Sequence, residues 1–290
     1  MGRGCIISLV KRHPLITFFV LTYALSWVAY PMWALGLYPI APVFSFAPFL
    51  VALVVLAITH GKSGVGGLLR RMVRWRVGLR WYAAALLIPA GITVAAAVLN
   101  FLLGAQTPSS AELGSWPVLL VTFLAVLLIP GLGGAWEEPG WRGFALPRLQ
   151  SGRSALLASL ILGVLIAGWH LPLMFVGQVH YSDILTIMGA VIIFNWLFNN
   201  ANGSVLIIML MHATNNTISG QLFGQMFSGA DSVRQGWLVA ALWCMAAVVV
   251  VVVAGPAHLS RKHKKQEERE EGAEAPGATT PTVPPVPRPA

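Results

Sequence analysis

The sequence predicts an all-α polytopic membrane protein of about eight transmembrane helices with a disordered C-terminal tail, and three observations carry that prediction. Of the 290 residues, 57% are apolar or aromatic and only 10% are Asp, Glu, Lys or Arg, against about 25% charged in an ordinary soluble domain. Val, Leu, Ile and Ala fill blocks long enough to cross a bilayer. The bases sit between alternate blocks, which is the charge asymmetry of membrane topology. A water-facing surface would need more charge than the chain holds, so a soluble globule is excluded. Two cysteines, Cys5 and Cys244, are too few for a disulfide framework or a thiolate metal cluster.

The spans follow in order as 15–37, 43–58, 81–103, 117–129, 155–176, 184–198, 205–218 and 237–255. The first is too long, and too poor in a small-residue cleavage site, for a removable signal peptide, and is read as a retained anchor. Arg3, Lys11 and Arg12 precede it, and Lys62, Arg70, Arg71, Arg74, Arg76 and Arg80 fill the second connection. Arg142, Arg148 and Arg153 lie between the fourth and fifth spans, and Arg261, Lys262, Lys264 and Lys265 follow the eighth. All of these fall on one side of an eight-span topology. The opposite connections hold Glu112, Asp183, Asp231 and one base, Arg234. Because cytoplasmic loops carry the excess of Lys and Arg, both termini are expected in the cytoplasm of a multi-pass cell-membrane protein. The net charge of +9 then belongs to loops facing anionic lipid headgroups, and no nucleic-acid partner is expected.

Residues 1–259 are expected to form the transmembrane helical domain, with the polar motifs confined to about 117–218. From 260 to 290 a basic cluster, a run of Glu and a Pro-, Ala- and Thr-rich stretch cannot bury a core, which predicts a disordered cytoplasmic tail dispensable for chemistry.

Sorting the ten acids leaves two inside the apolar body. Five are in the tail and three in the outer connections, so Glu137 and Glu138 remain. A charge within a spanning helix costs about 2.5–3.5 kcal/mol on insertion scales, so an intramembrane carboxylate asks for a function and a partner. On a helix Glu138 and Arg142, four apart, share a face and suit an ion pair, whereas Glu137 is rotated by about 100° and is left free to act as a general base or acid. Pro139 predicts a kink or helix start at this point. His170 and His212 are the two histidines within apolar spans. His212 and Asn216 again share a helix face, from which they can donate to an oxyanion or hold a water. Asn195 and Asn199 read as interhelical glue, and Gly131, Gly133 and Gly134 as a stretch that lets another helix approach.

Glu137-Glu138-Pro139-Gly140-Trp141-Arg142-Gly143, then Trp169-His170-Leu171-Pro172, then His212 and Asn216 resemble the three motifs of the CAAX prenyl endopeptidase and bacteriocin-processing family of intramembrane proteases. Where that family has Phe four residues before the histidine, this chain has Ile166. The resemblance implies an eight-helix core and hydrolysis of a peptide bond in a membrane-associated peptide or protein. It makes Glu137 the base that activates water, assisted by His170, with His212 and Asn216 stabilising the oxyanion and Glu138 and Arg142 supporting the site. The family has been argued both as metal-free and as zinc-dependent. Glu137, His170 and His212 could ligate zinc, but no cofactor is favoured, since Arg142 takes Glu138 and no further carboxylate is expected to orient the histidines.

Two rival classes fit the same intramembrane residues: a proton-coupled transporter using Glu137 and His170 as a relay, and a catalytically silent immunity-type membrane protein. For a catalytic site to exist, the fourth helix must continue through Arg142, bent at Pro130 or Pro139. Otherwise Glu137 would lie at the surface, roughly 20 Å above a histidine about 15 residues into the next span.

Overall fold

The computed structural model describes residues 3–37, 43–108, 116–223 and 226–260, which are helical with no strand among them. Residues 261–290, where the disordered tail is expected, and Glu112 lie outside the described residues. The α-helices in chain order are α1 (Arg3–Arg12), α2 (Pro14–Trp27), α3 (Ala29–Ala34), α4 (Ala47–Met72), α5 (Leu79–Leu102), α6 (Trp116–Leu128), α7 (Glu138–Gly140) and α8 (Leu146–Gln150). They continue as α9 (Ala155–Trp169), α10 (Leu171–Phe175), α11 (Ser182–Asn200), α12 (Val205–Thr217) and α13 (Gly229–Ala254).

Eight apolar elements stand where eight spans are expected. Pro14–Ala34, Ala47–Met72, Leu79–Leu102, Ser182–Asn200 and Gly229–Ala254 are long and apolar enough to cross a membrane. α6 and α9 are shorter apolar helices, and α12 is prolonged by a π-helical stretch, Ile218–Phe223. The second span is shorter than its helix. Gly61, at φ 61° and ψ −150°, breaks α4, and the basic residues Arg70 and Arg71 occupy the part beyond the break.

α13 buries Ala240, Trp243 and Ala247 and exposes Met245, Val248, Val249 and Val252. Such an apolar outer face would be an anomaly in water and is the expected face toward lipid. Small residues let the helices close: a side chain at Gly189 of α11 would meet the Trp243 backbone at 2.7 Å, the close approach typical of membrane helix pairs. The deepest core holds Phe18, Trp141, Phe144, Leu146 and Trp169, all with no exposed surface. Phe18 meets Trp141 edge-on at 5.6 Å, and Trp141 meets Trp169 at 5.9 Å.

The charges segregate by end. At one end Arg74 bonds the Asn202 carbonyl, and Ser204 donates to the Arg74 carbonyl at 2.7 Å. The Ala155 amide donates to Ala257 at 2.7 Å, and Asn200 to Leu259 at 2.8 Å. The connections after α4, α8, α11 and α13 therefore gather on one side, as the charge map requires. At the other end Arg234 pairs with Asp231 at 2.7 Å. Asn100 donates to the Asp231 carbonyl at 2.9 Å, tying α5 to α13.

Candidate active site

The fourth span is discontinuous. α6 stops at Leu128, and the chain turns through Gly131 (φ 92°) and Gly133 (φ 97°) before helix resumes. Gly133, with ψ −173°, occupies a region essentially reserved for glycine. Trp136 Nε1 donates to the Leu127 carbonyl at 3.1 Å, satisfying one of the acceptors that a helix end leaves open. The expected helix through Arg142 is present, but as a separate segment and not as a continuation of α6. The reason is local: Pro130 has no amide to donate, and two glycines supply backbone conformations that end the helix.

The new segment begins as a 3₁₀ turn, Gly134–Glu137, passes through α7, loosens into a π-turn, Trp141–Ala145, and finishes as α8. Pro139 sits in its first α turn, where a missing amide costs nothing. A π-turn often marks a functional site, because it re-aims side chains without ending the helix.

This segment separates the two glutamates. Both are buried, and Glu138 is fully so. Glu138 accepts from Arg142 Nη1 through both oxygens, at 3.0 and 2.8 Å, the pairing expected from the spacing of four. Its Oε1 also meets His212 Nδ1 at 2.6 Å. This corrects the expectation that no carboxylate remains to orient a histidine, because one carboxylate has the acceptor capacity to serve both partners. Arg142 is fixed in turn. Its Nε donates to Asn195 Oδ1 at 3.1 Å, Asn195 Nδ2 donates to Ser159 Oγ at 2.9 Å, and the guanidinium lies 5.0 Å from the Phe194 ring. Glu137 takes a different partner, accepting from Trp141 Nε1 at 3.1 Å through Oε2.

The histidines present one nitrogen each. His170 Nδ1 lies 2.8 Å from the Ile166 carbonyl. A carbonyl only accepts, so Nδ1 carries the proton and Nε2 of the neutral ring is an acceptor. His212 Nδ1 is committed to Glu138, which likewise leaves Nε2. Gly134 makes this arrangement possible, since a side chain there would overlap the His212 ring. The glycine stretch thus does let another helix approach, and that helix is the one carrying His212 and Asn216.

Glu137, His170, His212 and Asn216 line one cavity of about 500 Å³, together with Trp141 and Arg142. Glu138 stands behind it and is not part of the wall. All four residues expected to carry chemistry therefore line the same cavity, although they come from three segments: the turn before α7, the end of α9, and α12. Trp141 was not singled out from sequence, yet it stands four residues after Glu137 and the helical spacing pointed to it. Asn199 behaves as interhelical glue, donating to the His258 carbonyl at 3.0 Å. Asn195 does the same work but within the support of the site.

Zinc would require Glu137, His170 and His212 to converge on one point. Among the described residues, no three of His, Cys, Asp and Glu gather closely enough to hold a metal ion, and Glu138 is committed to Arg142 and His212. The donor set therefore does not fit zinc as arranged.

Comparison with known proteins finds its matches over the same part of the chain. The sequence profile of the family described as Type II CAAX prenyl endopeptidase Rce1-like matches residues 114–218. The chain is 24% identical over 227 residues to CAAX prenyl protease 2 of Methanococcus maripaludis, a match covering 71% of this chain and 83% of that protein. Glu137, Glu138, Arg142, His170, His212 and Asn216 all lie inside the matched stretch, so the part of the chain that builds the site is the part similar to the CAAX prenyl endopeptidases.

Proposed function

We propose that the protein hydrolyses a peptide bond of a membrane-associated peptide or protein, with a water activated by Glu137 as the nucleophile. The observation that carries the reading is the meeting of Glu137, His170, His212 and Asn216 on one cavity wall, with the Glu138–Arg142 pair closing it from behind.

Glu137 has one oxygen on Trp141 and uses the other to take a proton from water. His170 Nε2, an acceptor, holds the second water hydrogen and aims the oxygen at the scissile carbonyl. As the tetrahedral intermediate forms, its oxyanion receives hydrogen bonds from Asn216 Nδ2 and, with both ring nitrogens protonated, from His212 Nε2. The proton on Glu137 then passes to the leaving amine, the C–N bond breaks, and a carboxylic acid and an amine result. Glu138 and Arg142 touch no reacting atom and act as positioning residues. No step passes through a metal.

The test compares wild type with Glu137→Gln in liposomes, using a peptide library, with and without a zinc chelator. Cleavage is expected to fall by about 10²–10⁴-fold in the variant and to survive chelation. Equal cleavage by both proteins would remove Glu137 from catalysis, and loss on chelation would replace the water-activation step by a metal-assisted one.

A further inference from the structure

We propose that Tyr23 and Trp27 of α2 are positioning residues for His170: they hold the last turn of α9 by its carbonyls and so aim the His170 ring into the cavity. The inference rests on the endopeptidase reading above for the role of His170, and on the contacts between α2 and α9 for the rest. α2 carries none of the candidate catalytic residues, and neither Tyr23 nor Trp27 lines the cavity.

His170 stands where α9 runs out of backbone donors. The helix ends at Trp169, and Pro172, in the next turn, has no amide to return to it. The Leu173 amide, which a continuing helix would send to Trp169, donates to the His170 carbonyl at 3.0 Å. Carbonyls of the final turn are therefore left to side chains. Trp27 Nε1 donates to the Trp169 carbonyl at 3.1 Å, and the Tyr23 hydroxyl donates to the Leu165 carbonyl. The two donors stand four apart and so share a face of α2, with 5.1 Å between their ring centroids. Gly168 leaves room for the tyrosine, since a side chain there would meet its hydroxyl at 3.0 Å.

Each bond fixes a different part of the histidine. Trp169 and His170 share a peptide plane whose amide end donates to the Ile166 and Ala167 carbonyls at 3.2 and 3.1 Å. The bond from Trp27 to its carbonyl end holds that plane at both edges, and with it the backbone from which the ring hangs. Leu165 and Ile166 share the plane one turn earlier, and the Ile166 carbonyl is the acceptor that His170 Nδ1 meets at 2.8 Å. Tyr23 thus steadies the group that keeps the proton on Nδ1 and leaves Nε2 to the water. The same stripe of α2 reaches the other side of the site. Phe19, four residues before Tyr23, stacks on Trp141 at 6.1 Å with the planes 19° apart, and Trp141 is the donor to Glu137. A catalytic group displaced by about 1 Å can lose about 10²-fold in rate, so an anchor behind the wall matters as much as the wall.

The experiment removes each donor and keeps its ring, as Tyr23→Phe and Trp27→Phe in the full chain. Asn199→Ala is the control, losing a bond between segments that does not involve α9. With a peptide that the wild type cleaves in liposomes, each Phe variant is expected to lose about 10-fold in kcat with KM unchanged, and Asn199→Ala to keep both. Trp27→Phe is then combined with His170→Ala, because a residue acting only through His170 adds no loss once the ring is gone. Losses that multiply, or a rise in KM in place of the fall in kcat, overturn the proposal. The ring is also read without turnover, by nitrogen NMR of protein carrying isotope-labelled histidine, with His170→Gln assigning the signal. Wild type and Asn199→Ala are expected to show the Nδ1–H tautomer alone, and the Phe variants to gain the Nε2–H tautomer. An unchanged tautomer in both Phe variants, or the same change in Asn199→Ala, overturns the proposal. Equal cleavage by Glu137→Gln and wild type, or no cleavage by wild type, overturns the endopeptidase reading instead, and the tautomer still decides whether α2 holds His170.

Discussion

Glu137 and Glu138 are neighbours in sequence with opposite dependencies. Glu138 neutralises a buried guanidinium, so Glu138→Gln leaves Arg142 without its counter-charge, an error that costs about 3–5 kcal/mol in buried pairs. Glu137 accepts a single hydrogen bond from Trp141, which a glutamine oxygen can also accept. The expected outcome is a dissociation in detergent: Glu138→Gln lowers the thermal midpoint, whereas Glu137→Gln keeps it and loses cleavage. Asn216→Ala belongs to the same scale. If Asn216 donates only to the oxyanion, kcat should fall by about 10²–10³-fold with KM little changed, and an equal rise in KM would assign it to substrate binding. The Glu138–Arg142 pair was legible because both residues lie one helical turn apart. The bond from Glu138 to His212 spans 74 positions, and no local periodicity reports a partner so distant.

At the scale of elements, the apolar blocks located the helices closely, as 81–103 against α5 and 184–198 against α11 show. The break between α6 and α7 was not legible in the same way. Hydropathy is blind to it, because leucines and glycines read as apolar whether the backbone is helical or turned. What marks the break is conformational, and its stability is testable. Gly133→Ala forces a side chain into glycine-only backbone space and against Val126 at 3.0 Å. The expected loss is about 1–3 kcal/mol of stability, read as a lower midpoint in thermal unfolding. Gly134→Ala acts differently. It meets the His212 ring, so it should cut cleavage more than it lowers the midpoint. Asn195 shows why the support of the site escaped a helix-by-helix reading: its two bonds, to Arg142 and Ser159, reach two other segments.

For the whole molecule, scarcity of charge is the common thread. Among the described residues, bases crowd one end, Asp183 and Asp231 lie at the other, and the charges left in the apolar interior, Glu137, Glu138 and Arg142, are the ones that build the site. Residues 261–290 contain none of the candidate catalytic residues, so removing them is expected to leave cleavage at the wild-type level in the liposome assay. The discontinuous fourth span has a further consequence for biogenesis. α6 has 13 residues, or about 20 Å of helix, which falls short of a hydrocarbon core of about 30 Å. Its unwound stretch also carries backbone groups that lipid would not satisfy. This segment therefore cannot leave the insertion machinery as an independent anchor. It must wait for α12, whose His212 receives Gly134 and Glu138, and so the catalytic segment is a late arrival in an assembly begun by its neighbours. A nascent chain halted after Ser154 should leave 116–150 open to added protease, and one extended past α12 should protect it.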